Sequence, residues 1–289
     1  MPEPWTPPYL SLRDALRVFG GFSEMTQSQK HIKPLHQHLA LRLVIEGGFF
    51  PEELTPQPPL RATKRGAKWL LDFDPEAESG GEQTVLGGLK SKQIDVVVAK
   101  QNVGPVLAIS VKGTTKALRN LTNRMEEAIG DSTNIHIMYP GLVYGFFQVI
   151  RANRFDEPDI ERNDIAIGAD GEVVDSIRRY HDVLAGLNGR RFVRDDLTRY
   201  ERVGFAMVDA TEENLGEILP AYPAADSPLK TEDFVQSLLD IYDLRYPYMG
   251  ASMTNLRRVV WSAESPAFRI LGSEDDWCEH LGYRPRVGS

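Results

Sequence analysis

Cysteine is almost absent. Cys278 stands alone in 289 residues, which excludes an internal disulfide and any cysteine-based zinc or iron–sulfur centre. A reducing cytoplasm is the expected compartment, and a structural or mildly exposed thiol is the expected role of that residue. Long apolar runs are missing too. The longest, such as Leu142 to Ile150, fall far short of the ~18 residues that a membrane span needs, and the opening Met-Pro-Glu-Pro-Trp has neither a basic stretch nor a secretory core. No internal repeat and no low-complexity tract occurs. An overall basic excess is also lacking: 33 Lys and Arg face 41 Asp and Glu, a net charge of -8, which argues against a polyanionic partner until charge is counted by segment. With 42% hydrophobic and 26% charged residues, the chain reads as globular. At this length it is able to bury roughly 75% of its unfolded surface, so one large domain, or a domain with an appendage, needs no staples.

The segment count reverses the impression left by the total. Between Thr55 and Met125 eleven basic residues (Arg61, Lys64, Arg65, Lys68, Lys90, Lys92, Lys100, Lys112, Lys116, Arg119 and Arg124) meet six acids, a local net of +5, which leaves -13 for the rest. One basic stretch sits inside an acidic protein, as a polyanion-binding surface requires.

Three regions follow from the patterning: an N-terminal arm (1–33), an α/β core (34–150) and a C-terminal part of the same domain (151–289). The arm is Pro-rich and leads into a short helix over Ser11 to Phe19. Pro34 opens a helix whose Leu35, Leu39 and Leu43 form a stripe ending near Glu46, before Gly47-Gly48. Residues 49–66 read as a proline-rich loop, Lys68 to Phe73 as a strand, and the acidic stretch through Gly88 as a loop. Ile94 to Ala99 and Val106 to Lys112 are β-branched and nearly continuous in apolar character, joined by a turn at Gly104-Pro105; they predict neighbouring buried strands. Leu118, Leu121, Met125 and Ala128 predict a helix over 116–129, followed by strands at Asn134 to Tyr139 and Leu142 to Ile150. Beyond these come helices near 174–187 and 232–244, a strand at 204–208 and a loop-rich tail.

Chemistry concentrates on the two central strands. Asp95 lies in a run apolar enough to be buried on both faces, where a carboxylate needs a partner. Ser110 and Lys112 are two apart and share a face, with Lys112 at the strand's end. On the next helix the stripe centred between Met125 and Ala128 leaves Glu126 closer to the sheet than Glu127. Carboxylates that collect a divalent ion, next to a lysine that positions or deprotonates water, are what phosphodiester hydrolysis asks for. Lys116, Arg119 and Arg124 border that site as candidate DNA-binding residues.

At these residues the chain resembles the PD-(D/E)xK nuclease superfamily, whose signature is an Asp on one strand and an acid-x-Lys on the next. Here the middle acid is Ser110, and the resemblance is to a type II restriction endonuclease branch in which Ser occupies that place and the Glu comes from the following helix; Glu126, fourteen residues after Lys112, fits that spacing. The resemblance covers about 34–150. It implies a restriction-endonuclease-like α/β fold, a mixed sheet flanked by helices; beyond it, 151–289 is expected to be a mainly helical extension that supplies dimer contacts and DNA recognition. The resemblance further implies Mg2+ held by Asp95 and Glu126, Lys112 assisting the nucleophile, Ser110 contacting water or a ligand, Glu46 as an accessory acid, and a homodimer cutting duplex DNA.

Two other readings compete. A nuclease-like module that binds DNA or a protein without cutting follows if nothing compensates for the missing acid at Ser110. A Ser110–Lys112 hydrolase is chemically conceivable, but no oxyanion loop is visible. His31, His36 and His38 invite a metal reading, but His36 and His38, two apart on a helix, face different ways, so the three read as phosphate contacts or surface residues. Tyr242, Tyr246 and Tyr248 with Arg245 read as core or dimer contact, and the arginines of 190–202 as a second, diluted basic cluster.

Overall fold

The computed structural model describes residues 4–22, 29–116, 118–158, 160–247 and 253–288, together with the backbone but not the side chain of Arg119. In chain order its elements are α1 (Leu12–Gly20), α2 (Lys33–Ile45), β1 (Leu54–Thr55), β2 (Leu60–Arg65), β3 (Lys68–Phe73), β4 (Gln83–Leu86), β5 (Ser91–Ile94), β6 (Val96–Lys100) and β7 (Gly104–Thr114). There follow α3 (Leu121–Met138), β8 (Val143–Arg151), α4 (Asp175–Gly186), β9 (Arg202–Val208), α5 (Phe234–Arg245), β10 (Trp261–Ser262), α6 (Pro266–Ile270), α7 (Glu274–Leu281) and β11 (Val287–Gly288). The protein is α/β, with a mixed sheet flanked by helices.

The central sheet has the order β1-β6-β7-β8-β9. β6 pairs antiparallel with β1 on one side and β7 on the other, whereas β7, β8 and β9 run parallel. Parallel neighbours need a crossover, and α3 and α4 lie in the two connections. Alternation then splits the core. Val96, Val98, Ile109, Val111 and Val149 pack in one cluster with α1, α2 and α5, while Val97, Ala108, Tyr144, Phe146 and Ile150 pack in a second with α3 and α4. Among the described residues no helix is long and apolar enough to cross a membrane.

A second sheet, β11-β10-β3-β2, ties the C-terminus to α2. The last carbonyls of a helix have no intrahelical partner, and here the indole N–H of Trp261 donates to Val44 O at 2.8 Å and the N–H of Arg286 to Ile45 O at 2.9 Å. Gly48 turns the chain out of α2 at φ +71°, and a Cβ there would lie 2.2 Å from Val259 O. Gly48→Ala combines left-handed backbone cost with a clash against main chain, so we expect a loss of about 2–4 kcal/mol, read as a lower urea midpoint.

Several expectations need correction. Residues 49–66 hold β1 and β2 rather than only loop, the acidic stretch holds β4, and the C-terminal tail holds β10, β11, α6 and α7. The strand expected at Asn134 to Tyr139 is the end of α3: Thr133, Ile135 and Ile137 alternate like a strand, but the helical stripe continues through the buried polar residues Asp131, Ser132 and His136, which a hydropathy pattern does not register. The aromatic patch is core. Tyr242 is fully buried and donates to Leu256 O, and Tyr246 donates to Gly141 O; Tyr248 lies outside the described residues. Arg190, placed in the basic cluster, is also fully buried.

Candidate metal centre

The predicted strand at 94–99 is broken at Asp95, which sits between β5 and β6. The break has a consequence for β7. Pairing of β6 with β7 stops at Val96↔Ile109, so the N–H of Val111, which points the same way as that of Ile109, has lost its strand partner. The Asp95 carboxylate replaces it: Val111 N–H donates to Oδ2 at 2.7 Å. Asp95 is 7% exposed. Burial pushes its carboxyl above the ordinary range, against the opposing pull of Lys112 and the Val111 N–H.

The other oxygen faces α2. His36 Nε2 lies 3.5 Å from Asp95 Oδ1 and is buried without a hydrogen-bond partner. Glu82, in the loop before β4, completes the group: ligand atoms of His36, Glu82 and Asp95 all lie within 4.8 Å of one another. Burial pushes His36 down to about 4, partly offset by the Glu82 charge and reinforced by Lys112 and Lys33. Its imidazole is therefore neutral near neutral pH, the form that binds metals. A buried, unbonded ring nitrogen held against two carboxylates fits a divalent cation. His36, Glu82, Lys33, Gln37 and Gln93 also line a cleft of about 400 Å³, so the group opens to solvent.

Lys112 reaches this region from β7, half-buried, and its charge acts on both Asp95 and His36. Its carboxylate neighbour on α3 is Glu127, not Glu126: Lys112 Nζ lies 3.8 Å from Glu127 Oε1, while Glu126 is exposed. The helix is rotated relative to the apolar pattern. About the buried positions Leu121, Ala128, Asp131, Ser132 and Ile135, Glu127 lies roughly 95° from the stripe's centre and Glu126 roughly 165°, at 100° per residue. Glu127 also pairs with Arg124 at 2.9 Å and Lys92 at 3.4 Å. Partial burial pushes its carboxyl up, but Lys112, Arg124 and Lys92 outweigh that and hold it below the usual range.

Ser110 is buried with its hydroxyl 2.7 Å from the Tyr144 phenol, on the same sheet face as Lys112. Glu46 takes no part. It pairs with Arg42 one turn earlier, and ten residues separate it from His36, roughly 15 Å along the helix axis. The α2 residue beside Asp95 is instead His36, in the N-terminal half of the helix. Lys116 is exposed, Arg124 is engaged by Glu127, and the Arg119 side chain lies outside the described residues.

His36 and Glu82 were not among the residues singled out by sequence for metal binding. The histidines read as surface groups, yet His31, His36 and His38 are all buried. His38 does face away, with Nδ1 3.1 Å from Tyr9 O. A histidine inside a helix whose leucines alone suggest a narrow stripe gives no warning that nearly every position is covered. Glu82 belongs to no motif; only the fold carries its loop to α2. Comparison of the chain with family models, curated proteins and solved structures returns no match.

Proposed function

We propose that this chain is a divalent-metal-dependent phosphodiesterase acting on DNA, an endonuclease of restriction type. One observation carries the reading: the buried His36 nitrogen, Glu82 and Asp95 converge where the Lys112 charge is felt most strongly by Asp95 of any cation. A divalent cation bound there supplies Lewis acidity and a water of lowered pKa. Asp95 is fixed for that task by Val111 N–H, and His36 by its place in a packed helix. Lys112, which pairs with Glu127 and whose charge acts on Asp95 and His36, offsets charge on a phosphate and positions the attacking water. The order α2, antiparallel β1-β6-β7, α3, parallel β8 also supports the nuclease reading, since it brings an Asp and a Lys to adjacent strand ends. Because one such site cuts one strand, a homodimer is part of the proposal.

Two carboxylates suit Mg2+, while an imidazole in the set favours Mn2+ and later transition metals. Supercoiled plasmid incubated with each metal, and with EDTA, is the test. Nicking or linearisation that EDTA abolishes, faster in Mn2+ than in Mg2+ at equal concentration, is expected. Lys112→Ala should slow it about a hundredfold, and cleavage at the parental rate in that variant would remove Lys112 from the mechanism.

A second reading has its own support. Ser110 is tied to Tyr144 and Glu127 is already matched by three cations, as a nuclease-like module that binds without cutting would allow. DNA retention with no cleavage in any divalent metal selects that reading.

A further inference from the structure

β2 and β3 form a hairpin whose tip is basic and bare. Between Leu60 and Leu71 the chain carries Arg61, Lys64, Arg65 and Lys68 and no acid. The register pairs Arg65 with Lys68 and Lys64 with Trp69 across the two-residue turn Gly66-Ala67, and Gly66 takes φ +60° with open space around it. Residues 63–68 are all exposed.

The root of this ribbon is rigid and neutralised, and the tip keeps two of its three cations unpaired. At the root Arg61 pairs with Asp74 at 2.5 Å, and in the tip row Lys68 pairs with Glu264 at 3.0 Å. Trp69 pairs in register with Trp261 of β10 and packs edge-on against Phe50, ring centroids 4.6 Å apart. Lys64 lies over the Trp69 ring at 5.5 Å, and neither Lys64 nor Arg65 has a carboxylate partner among the described residues. Two cations are therefore presented on a stiff arm in a protein of net charge -8.

We infer that this hairpin is a groove-entering arm for duplex DNA. Two residues per strand, Arg65 and Gly66 on one side and Ala67 and Lys68 on the other, lie beyond the row anchored on Trp261 and give a projection of about 7 Å at roughly 3.4 Å per residue. The B-form major groove, about 12 Å wide and 8.5 Å deep, admits a two-stranded ribbon, and the phosphates along its rims match the tip cations. The deep, narrow major groove of A-form RNA does not admit it. A membrane surface is disfavoured because Gly66 and Ala67 at the tip offer no apolar anchor. The inference rests on the DNA-directed reading above and names the element that holds the substrate.

The test is fluorescence anisotropy of the full chain with a short mixed-sequence duplex in EDTA, across a salt series, with thermal melts of each variant. Lys64→Glu with Arg65→Glu should weaken binding by about tenfold or more. Lys64→Gln with Arg65→Gln, which disturbs folding least, should lower the slope of log affinity against log salt by about 1.8, roughly 0.9 per lost phosphate contact. Unchanged affinity and slope in the folded variants would overturn the inference. So would equal or tighter binding of duplex RNA or of vesicles containing phosphatidylserine through the same two residues. Binding read in EDTA is independent of hydrolysis: an uncut duplex that still depends on Lys64 and Arg65 defeats the proposed chemistry and leaves the arm in place.

Discussion

Asp95→Asn should abolish metal-dependent cleavage while making the metal-free protein more stable. The catalytic loss follows from the converging ligand set. Lewis-acid stabilisation is worth several kcal/mol, and at about 1.4 kcal/mol per decade the loss is on the order of a thousandfold or more. The gain in stability comes from the same carboxylate. Its folded pKa lies above the unfolded value because burial disfavours the charge, so the folded state holds its proton more tightly. Stability of the apo protein then falls as pH rises from the unfolded value of 3.8 through the raised folded one, and stays lower at neutral pH. An asparagine oxygen still accepts from Val111 N–H but carries no charge to desolvate. Melting in EDTA at neutral pH should therefore shift upward in the variant, whereas added Mn2+ should raise the parental protein's melting temperature and leave the variant's unchanged. A variant that melts lower in EDTA and still responds to Mn2+ would place the cation elsewhere.

The second large effect concerns the frame behind the site. Glu201 is buried with a fully buried Arg190 and a nearly buried Arg245: its Oε1 lies 2.5 Å from Arg190 Nη1 and 2.6 Å from Arg245 Nη1. Oε2 accepts from Tyr144 N–H at 2.7 Å and lies 3.3 Å from His136 Nε2. Removing one member of such a cluster leaves charge uncompensated in the interior, which costs about 3–5 kcal/mol. Glu201→Ala should show that loss in urea unfolding. The pH dependence has the opposite sign to that of Asp95. Desolvation pushes Glu201 up, but His136, Arg245 and Arg190 outweigh it and hold the folded carboxyl below 4.5. Its contribution is complete above pH 4.5 and is lost as pH falls through the folded value. Glu201→Gln should flatten this acid limb; an unchanged acid limb would mean that other carboxylates govern acid unfolding. Tyr144 links the cluster to the site, since its N–H is fixed by Glu201 and its phenol by Ser110. Loosening β8 at this point is expected to loosen β7 beside Lys112.

Ion pairing also explains why the basic segment counted from sequence is a poor map of free positive charge. Arg124, assigned to DNA, is occupied by Glu127, and of the other cations counted in the segment Lys92 sits 2.6 Å from Asp131 and Lys100 is buried against Glu53. Among the described residues of the segment, Lys64 and Arg65 at the hairpin tip and the exposed Lys90 and Lys116 have no carboxylate partner. Residue count along the chain registers charge, but not which carboxylate the fold delivers to each lysine.

By itself the sequence determined the elements with strong periodicity and the place of the charged residues on the central strands. The α2 leucine stripe, the β-branched runs of β6 and β7, and the stripes of α4 and α5 are local patterns, written by the need to cover a 3.6- or 2-residue repeat. Asp95 and Lys112 were legible because a charge inside an apolar run has a high desolvation cost and therefore draws notice. Only the tertiary structure decided which groups meet them. The exact rotation of α3 selects Glu127 over Glu126, and it is set by buried polar residues that make no apolar signal. The arrival of Glu82 beside His36 depends on where a loop crosses a helix more than forty positions earlier in the chain. Such a contact is made by packing of whole elements, and no local repeat encodes it.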